Sequence, residues 1–387
     1  MQTGAMIALR NLVVATIAAV LPAMWASAQI IETPASHAAI MDYATGEVLF
    51  EKNGDAPMIP ASMTKMMTVY TVLDRVKRGE IALTDQFTVS EDAWRRGGWD
   101  SGGSTMGLGI GDQPTVEELL RGVIVLSGND ACIVLAEGLA GSEEAFAREM
   151  TDLAREIGLE NATFENTTGL DSDGQRVSAI DLAKLAAAKI RDFPEFYEVY
   201  AVREYEWRGI SQPNRNPLLG TMAGVDGLKT GHLSVSGFGL TASGVRDGTR
   251  RILVINGLES ANARAREAER MMRMAYSAFD IKTLTAASMV LPDLPVWMGE
   301  QPTVPVTFEG PITVSGHVRA LERGRVAVEY EEPLEAPVAA GSQVATLVVE
   351  IDDKERLEIP LIAETDVART GFVGQALEGL RLMIEGA

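Results

Sequence analysis

The hydrophobic period of this chain changes repeatedly along its length, and those changes limit its architecture more than any other feature. The stretch HAAIMDYATGEVLFEKN, residues 37–53, alternates around a Tyr-Ala-Thr-Gly turn and predicts a hairpin. Residues 61–78, 115–140 and 142–157 show helical spacing, and SAIDLAKLAAAKIRDF repeats that signal. Strand character returns in GFGLTASGVRDGTRRILVINGL, two β-rich runs joined by RDGT, before the Arg-, Glu- and Met-rich helix SANARAREAERMMRMAYSAF. A hairpin first, helices in the middle and strands late predict an α+β domain whose sheet is completed by both of its chain ends. From about residue 285 alternation and local prolines dominate, so a small antiparallel all-β domain is expected over 285–368. Within it, ALERGRVAVEYEEPLEAP reads as solvated charge between strands.

The two termini have patterns of their own. Arg10 precedes the apolar run LVVATIAAVLPAMW, which ends in Ala-Ser-Ala at 26–28. That run is short for a bilayer, and small residues sit where a peptidase needs them, so residues 1–28 read as a secretory signal cleaved after Ala28. At the other end, residues 371–387 place Val373, Ala376, Leu377, Leu380, Met383 and Ile384 at helical spacing, forming one apolar stripe.

Composition excludes several kinds of chemistry. The formal charge of −20 argues against nucleic-acid binding, which needs a basic face. The single cysteine, Cys132, precludes an intramolecular disulfide and sits in the apolar helical stretch ACIVLAEGLAG, as a small buried thiol would. His37, His232 and His317 are scattered, no HExxH or CxxC pattern occurs, and no metal is expected. The run DSDG at 171–174 lacks the downstream ligands of a calcium loop and reads as a turn.

One helix start carries reactive groups. In IPASMTKMMTVYTVLDRV, Ser62 and Lys65 are three residues apart and share a helical face, just after Pro60. A neutral lysine in a desolvated cleft can take the serine's proton, and an unpaired main-chain amide at a helix start can donate to a developing oxyanion. Alone, Ser-x-x-Lys is equally a capping serine before a surface lysine. Two further stretches change the weighing. VLSGNDA sets Ser127, Gly128 and Asn129 at a polar break between apolar helical runs, and GVDGLKTGHLSVSGFGLTA sets Lys229, Thr230 and Gly231 at the entrance to a strand.

Ser-x-x-Lys, Ser-x-Asn and Lys-Thr-Gly in this order resemble the signature of penicillin-binding proteins and serine β-lactamases. PASMTKMMT, SGNDAC, GLDSDGQ and KTGH resemble, more narrowly, the low-molecular-mass D-alanyl-D-alanine carboxypeptidases, and the resemblance runs from about residue 33 to the C-terminus. It implies a penicillin-binding/β-lactamase-like transpeptidase fold over 29–282, an antiparallel sheet with a helical subdomain, followed by the small all-β domain. It also implies that Ser62 attacks the carbonyl between two D-alanines of a peptidoglycan stem pentapeptide, with Lys65 as general base. Ser127 would relay a proton to the leaving amine, and Asn129 would bond the substrate amide. Lys229 and Thr230, in the Lys-Thr-Gly that includes Gly231, would hold the terminal carboxylate. The main-chain amides of Ser62 and His232 would form the oxyanion hole, and Arg215 is weighed between binding a carboxylate and a loop salt bridge. β-Lactams would be covalent inhibitors, and no cofactor is implied. Glu165, in the loop FENTTGLDSDGQ, reads as an exposed loop residue and not as a deacylating base.

The resemblance leaves a D,D-endopeptidase and a β-lactamase as alternatives. No convincing Glu-x-x-x-Asn element lies between the second and third motifs, which disfavours the latter. A non-catalytic wall-binding protein is disfavoured by the intact Ser62, Lys65, Ser127, Asn129 and Lys229. Export to the periplasm follows from the signal. Similar carboxypeptidases lie on the outer face of the inner membrane through an amphipathic tail, whereas here Glu378 and Glu385 oppose Arg381. Peripheral membrane contact through 371–387 and docking on the protein's own surface therefore both stay open.

Overall fold

The computed structural model describes residues 31–372 except residue 353, together with the backbone of residues 12–15. Two compact units divide the chain, one spanning Ile31–Phe279 and the other containing everything from Asp280 onward together with the N-terminal segment. The expected signal, apart from the backbone of 12–15, and the expected tail helix beyond residue 372 lie outside the described residues.

The first unit is built on a five-stranded antiparallel sheet in the order Val48–Lys52, His37–Asp42, Thr249–Leu258, Gly237–Arg246, Val225–Leu233. The first strand of the unit pairs along the last, with His37 opposite Asn256 and Asp42 opposite Arg251. Both chain ends thus complete the sheet, as the order of periodicities requires. Lys229 to Gly231 lie inside the edge strand Val225–Leu233 and not at a strand entrance. Two glycines in nine residues, Gly227 and Gly231, had blurred its alternation.

The helical middle packs around Lys65–Lys77, whose residues from Lys65 to Leu73 are all buried. A helix apolar nearly all round belongs in a core, and methionines 63, 66, 67, 106 and 150 fill the irregular space about it. The stretch read as one helical region over 115–140 is three pieces: Val116–Arg121, a π-helical turn Gly122–Leu126, and Asn129–Ala140. Between them Ser127 takes the left-handed conformation, φ +60°, so the polar break is a sharp reversal of the backbone.

Lys189 is the anomaly of this core. It occupies an apolar-stripe position of helix Ala179–Asp192, following Leu182, Leu185 and Ala186 at helical spacing, and only 2% of it is exposed. Its Nζ has no hydrogen-bond partner and lies 5.9 Å from the Tyr70 ring centre and 5.4 Å from that of Tyr200. Burial drives its amine well below the ordinary lysine range. The unfolded chain then binds more protons than the folded one from that depressed pKa up to the free-lysine value, and stability rises with pH across the window. Lys189→Met is expected to stabilise the fold by about 1–3 kcal/mol at pH 7, because it removes an unpaired buried polar group. Denaturant titrations at pH 7 and pH 10 check this: the gain should shrink at the higher pH, and a constant gain would rule out the titration.

The second unit contains an antiparallel sheet in which Arg325–Glu331, Gln343–Glu350, Leu357–Ala363 and Val306–Thr307 follow one another, with the backbone of Leu12–Ala15 along its outer edge. Its core holds Val304, Phe308, Val328, Tyr330, Leu347 and Leu361. The segment read as solvated charge contains a genuine strand, Arg325–Glu331, and a short helix, Val318–Arg323. Val328 and Tyr330 point inward between charged neighbours that face water, so alternation was present beneath the high charge. Among the described residues no helix is long and apolar enough to cross a membrane.

Candidate active site

Ser62 sits on a 3-10 turn, Ala61–Thr64, that runs directly into helix Lys65–Lys77. Ala61, just before it, holds φ +49°, a strained conformation for a residue with a Cβ. This non-glycine strain and that of Ser127 fall at two of the three sequence motifs.

Lys65 is 1% exposed, and its Nζ touches three oxygens: Ser62 Oγ at 2.9 Å, Asn129 Oδ1 at 2.8 Å and the Thr168 carbonyl at 2.5 Å. The count matters. A neutral amine has two N–H donors and one lone pair; the carbonyl oxygens of Asn129 and Thr168 can only accept, so they take both donors and leave the lone pair for the Ser62 hydroxyl. Burial lowers the Lys65 pKa to about 8. The buried Asp130 and Glu143 pull it back up, and Arg215 pushes it further down. Cys132 is buried nearby with its thiol pushed up to about 12 by desolvation, as an inert packing residue would be.

Lys229, 3% exposed, donates to Ser127 Oγ at 2.9 Å and to the Thr230 carbonyl at 3.2 Å. Burial, then repulsion from Lys65 and Arg215, pushes its pKa well below the usual lysine range. The edge strand carrying Lys229, Thr230 and Gly231 runs close beside the Ser62 turn. A Cβ on Gly231 would stand 2.7 Å from the Pro60 carbonyl oxygen and 3.2 Å from the Ala61 Cβ, so only glycine lets the two backbones meet here. The exposed His232 ring stacks on Phe238 with centres 3.8 Å apart. Arg215 forms a hydrogen bond from Nη1 to Ser104 Oγ, and burial lowers its pKa. Its hydrogen-bond partner is this hydroxyl, not the carboxylate of a loop salt bridge.

The structure thus joins Ser62, Lys65 and Asn129 through the Lys65 amine and, two residues before Asn129, pairs Ser127 with Lys229, whose strand also carries Thr230, Gly231 and His232. Glu165 is exposed and closes its own loop, accepting from Ser172 Oγ and from the Gly174 amide at 3.0 Å. Sequence reasoning missed Thr168, Glu143 and Ser104. Glu143 accepts from the Thr167 amide at 3.0 Å and hydroxyl at 2.7 Å and also pairs with Arg96, fixing the loop whose Thr168 carbonyl meets Lys65. A carbonyl ligand leaves no mark in a sequence, and Glu143 looks like any first-turn acid. Among the described residues no group of three or more His, Cys, Asp and Glu forms a metal-ligating cluster.

A family model described as D-alanyl-D-alanine carboxypeptidase matches residues 23–260, and one described as penicillin-binding protein 5, C-terminal domain, matches residues 279–369. D-alanyl-D-alanine carboxypeptidase DacC of Escherichia coli (strain K12) is 37% identical over 362 residues, which cover 92% of this chain and 90% of that protein. The solved structure of D-alanyl-D-alanine carboxypeptidase DacD from Francisella tularensis superposes with a TM-score of 0.76 at 29% identity, covering 91% of this chain and 98% of that one. Penicillin binding protein 5 from Haemophilus influenzae gives a TM-score of 0.67 at 33% identity, covering 88% and 100%.

Proposed function

The chain belongs to the D-alanyl-D-alanine carboxypeptidase family, and from that premise we propose how its own residues divide the reaction. The enzyme is a serine-type D-Ala-D-Ala carboxypeptidase that removes the terminal D-alanine from peptidoglycan pentapeptides through an acyl-enzyme, and penicillin acylates it.

Ser62 Oγ attacks the carbonyl of the penultimate D-alanine while its proton passes to the Lys65 lone pair. The negative oxygen that develops is received by the main-chain amides of Ser62 and His232. Ser127, whose oxygen already accepts from Lys229, is free to turn its own hydroxyl proton toward the leaving amine, and D-alanine departs. Water then hydrolyses the ester. Asn129 has its Oδ1 on Lys65, which leaves its amide N–H groups for the substrate main chain. Thr230, Lys229 and Arg215 receive the terminal carboxylate, and that anion favours the charged form of Lys229 by offsetting the repulsion of its neighbours. One observation carries this reading: the Lys65 amine has two pure acceptors and the Ser62 hydroxyl about it. D-Alanine release from a muramyl pentapeptide, blocked by a slowly hydrolysed penicillin, tests it. Rapid penicillin turnover without D-alanine release would make the protein a β-lactamase instead.

For location we propose export across the inner membrane with removal of residues 1–28, and peripheral contact of residues 371–387 with the outer face of that membrane. The signal-like N-terminus and the apolar stripe of the tail support this. A mature N-terminus at Gln29 in the periplasmic fraction is expected, as is liposome flotation that is lost on deleting 371–387. Retention of residues 1–28, or equal flotation of both proteins, would remove the corresponding half of the proposal.

A further inference from the structure

Asp130 follows Asn129 in the sequence and is 0% exposed, yet no cation neutralises it among the contacts it makes. Its two oxygens instead gather five donors. Thr105 Oγ1 donates at 2.7 Å, and the main-chain amides of Met106, Gly107 and Leu108 donate at 2.8, 2.9 and 3.0 Å. The Ala131 amide donates at 3.0 Å from the start of Asp130's own helix. Four of the five come from one short strap, residues 103–108. The strap can take no other course without leaving this buried carboxylate and its own amides unsatisfied.

The strap in turn forms a wall beside the reactive cluster. The Ser104 carbonyl accepts from the Asn129 amide at 2.8 Å, and the Ser104 hydroxyl accepts from Arg215. Gly103 lies against the Asn129 side chain so closely that a Cβ there would stand 2.7 Å from Asn129 Nδ2. On its outer side the strap meets the segment that leads to Arg215, where Gln212 Nε2 donates to the Thr105 carbonyl at 3.1 Å. Asp130 is therefore the inner anchor of a segment that contacts two substrate-binding side chains directly.

We propose that Asp130 is a positioning residue for substrate binding, which acts through the 103–108 strap to set the places of Asn129 and Arg215. This rests on the reading that Asn129 and Arg215 hold the peptide. Lys65 and Ser62 take no bond from the strap itself; Asp130 reaches Lys65 only through the Asn129 oxygen and through its charge at longer range, so the larger effect falls on binding.

The test uses the full chain and steady-state D-alanine release from a pentapeptide. Asp130→Asn turns an amide toward donors that need an acceptor, and it is expected to raise KM about tenfold or more while kcat changes less than about threefold. Ser104→Ala cuts the strap from Arg215; combined with Asp130→Asn, the rise in KM is expected to be clearly smaller than the product of the two single effects. Gly103→Ala leaves the Asp130 carboxylate intact and presses on Asn129, and the same KM-selective loss is expected, which keeps the test open should Asp130→Asn not fold. An unchanged KM in folded Asp130→Asn, multiplicative effects with Ser104→Ala, or a loss confined to kcat would overturn the proposal. Wild-type protein that releases no D-alanine would count against the carboxypeptidase reading, and that outcome is distinguishable from these.

Discussion

Ser62→Ala is expected to lose all covalent labelling by a fluorescent penicillin and to lower D-alanine release by about 10⁴-fold or more, with little change in melting temperature. The loss is large because the hydroxyl is the atom that becomes bonded to the substrate; no positioning by other groups replaces it. The fold should survive because the side chain is only partly buried and its hydrogen bond in the cluster is the one with Lys65. Removing it forfeits about 1 kcal/mol, and Lys65 keeps its contacts with Asn129 and Thr168. The strained Ala61 that precedes Ser62 owes its conformation to packing, since 1% of it is exposed, and that packing is untouched. Labelling is the better readout, since one adduct forms per active serine and no background hydrolysis enters. Persistent stoichiometric labelling of Ser62→Ala would move the nucleophile elsewhere, with Ser127 the first position to examine.

Much of this arrangement was legible in the residues because the signals were local. Alternation at 37–53 and 237–258 gave strands, the helix after Ser62 showed its burial in the mostly apolar run Met66–Leu73, and Ser127 marked a break that a left-handed residue does make. What stayed hidden depends on contacts between distant segments. Lys189 lies where an apolar residue is expected, and its isolation is visible only once Tyr70 and Tyr200 close over it. The Arg325–Glu331 strand was masked by charges on its wet face. The Thr168 carbonyl carries no side-chain identity at all, yet it takes one of the two donors that orient Lys65. Asp130 was in plain view within SGNDA, but its role depends on a strap that begins 27 residues earlier.

Lys65→Met is expected to slow acylation of Ser62 by about 10²–10⁴-fold while moving the substrate KM by less than about threefold. The proton acceptor must be neutral to act, so wild-type acylation should climb with pH through about 8, the pKa to which burial lowers Lys65, and then level off. Asp130 and Glu143 hold that value up against burial and Arg215, so the climb belongs to the site as a whole and not to an isolated amine. In Lys65→Met the residual rate should lose this dependence. Stability offers an independent check. The folded pKa lies below the unfolded value of 10.5, so the unfolded chain binds more protons between about pH 8 and 10.5, and stability rises with pH through that window. Below it the wild-type fold bears a cost on the order of 3 kcal/mol that the methionine variant escapes, partly offset by the unsatisfied Asn129 and Thr168 oxygens. At pH 7 the variant should therefore melt no lower than wild type, which separates lost chemistry from lost structure. A folded variant with normal acylation and a raised KM would make Lys65 a binding residue and leave Ser62 without its base.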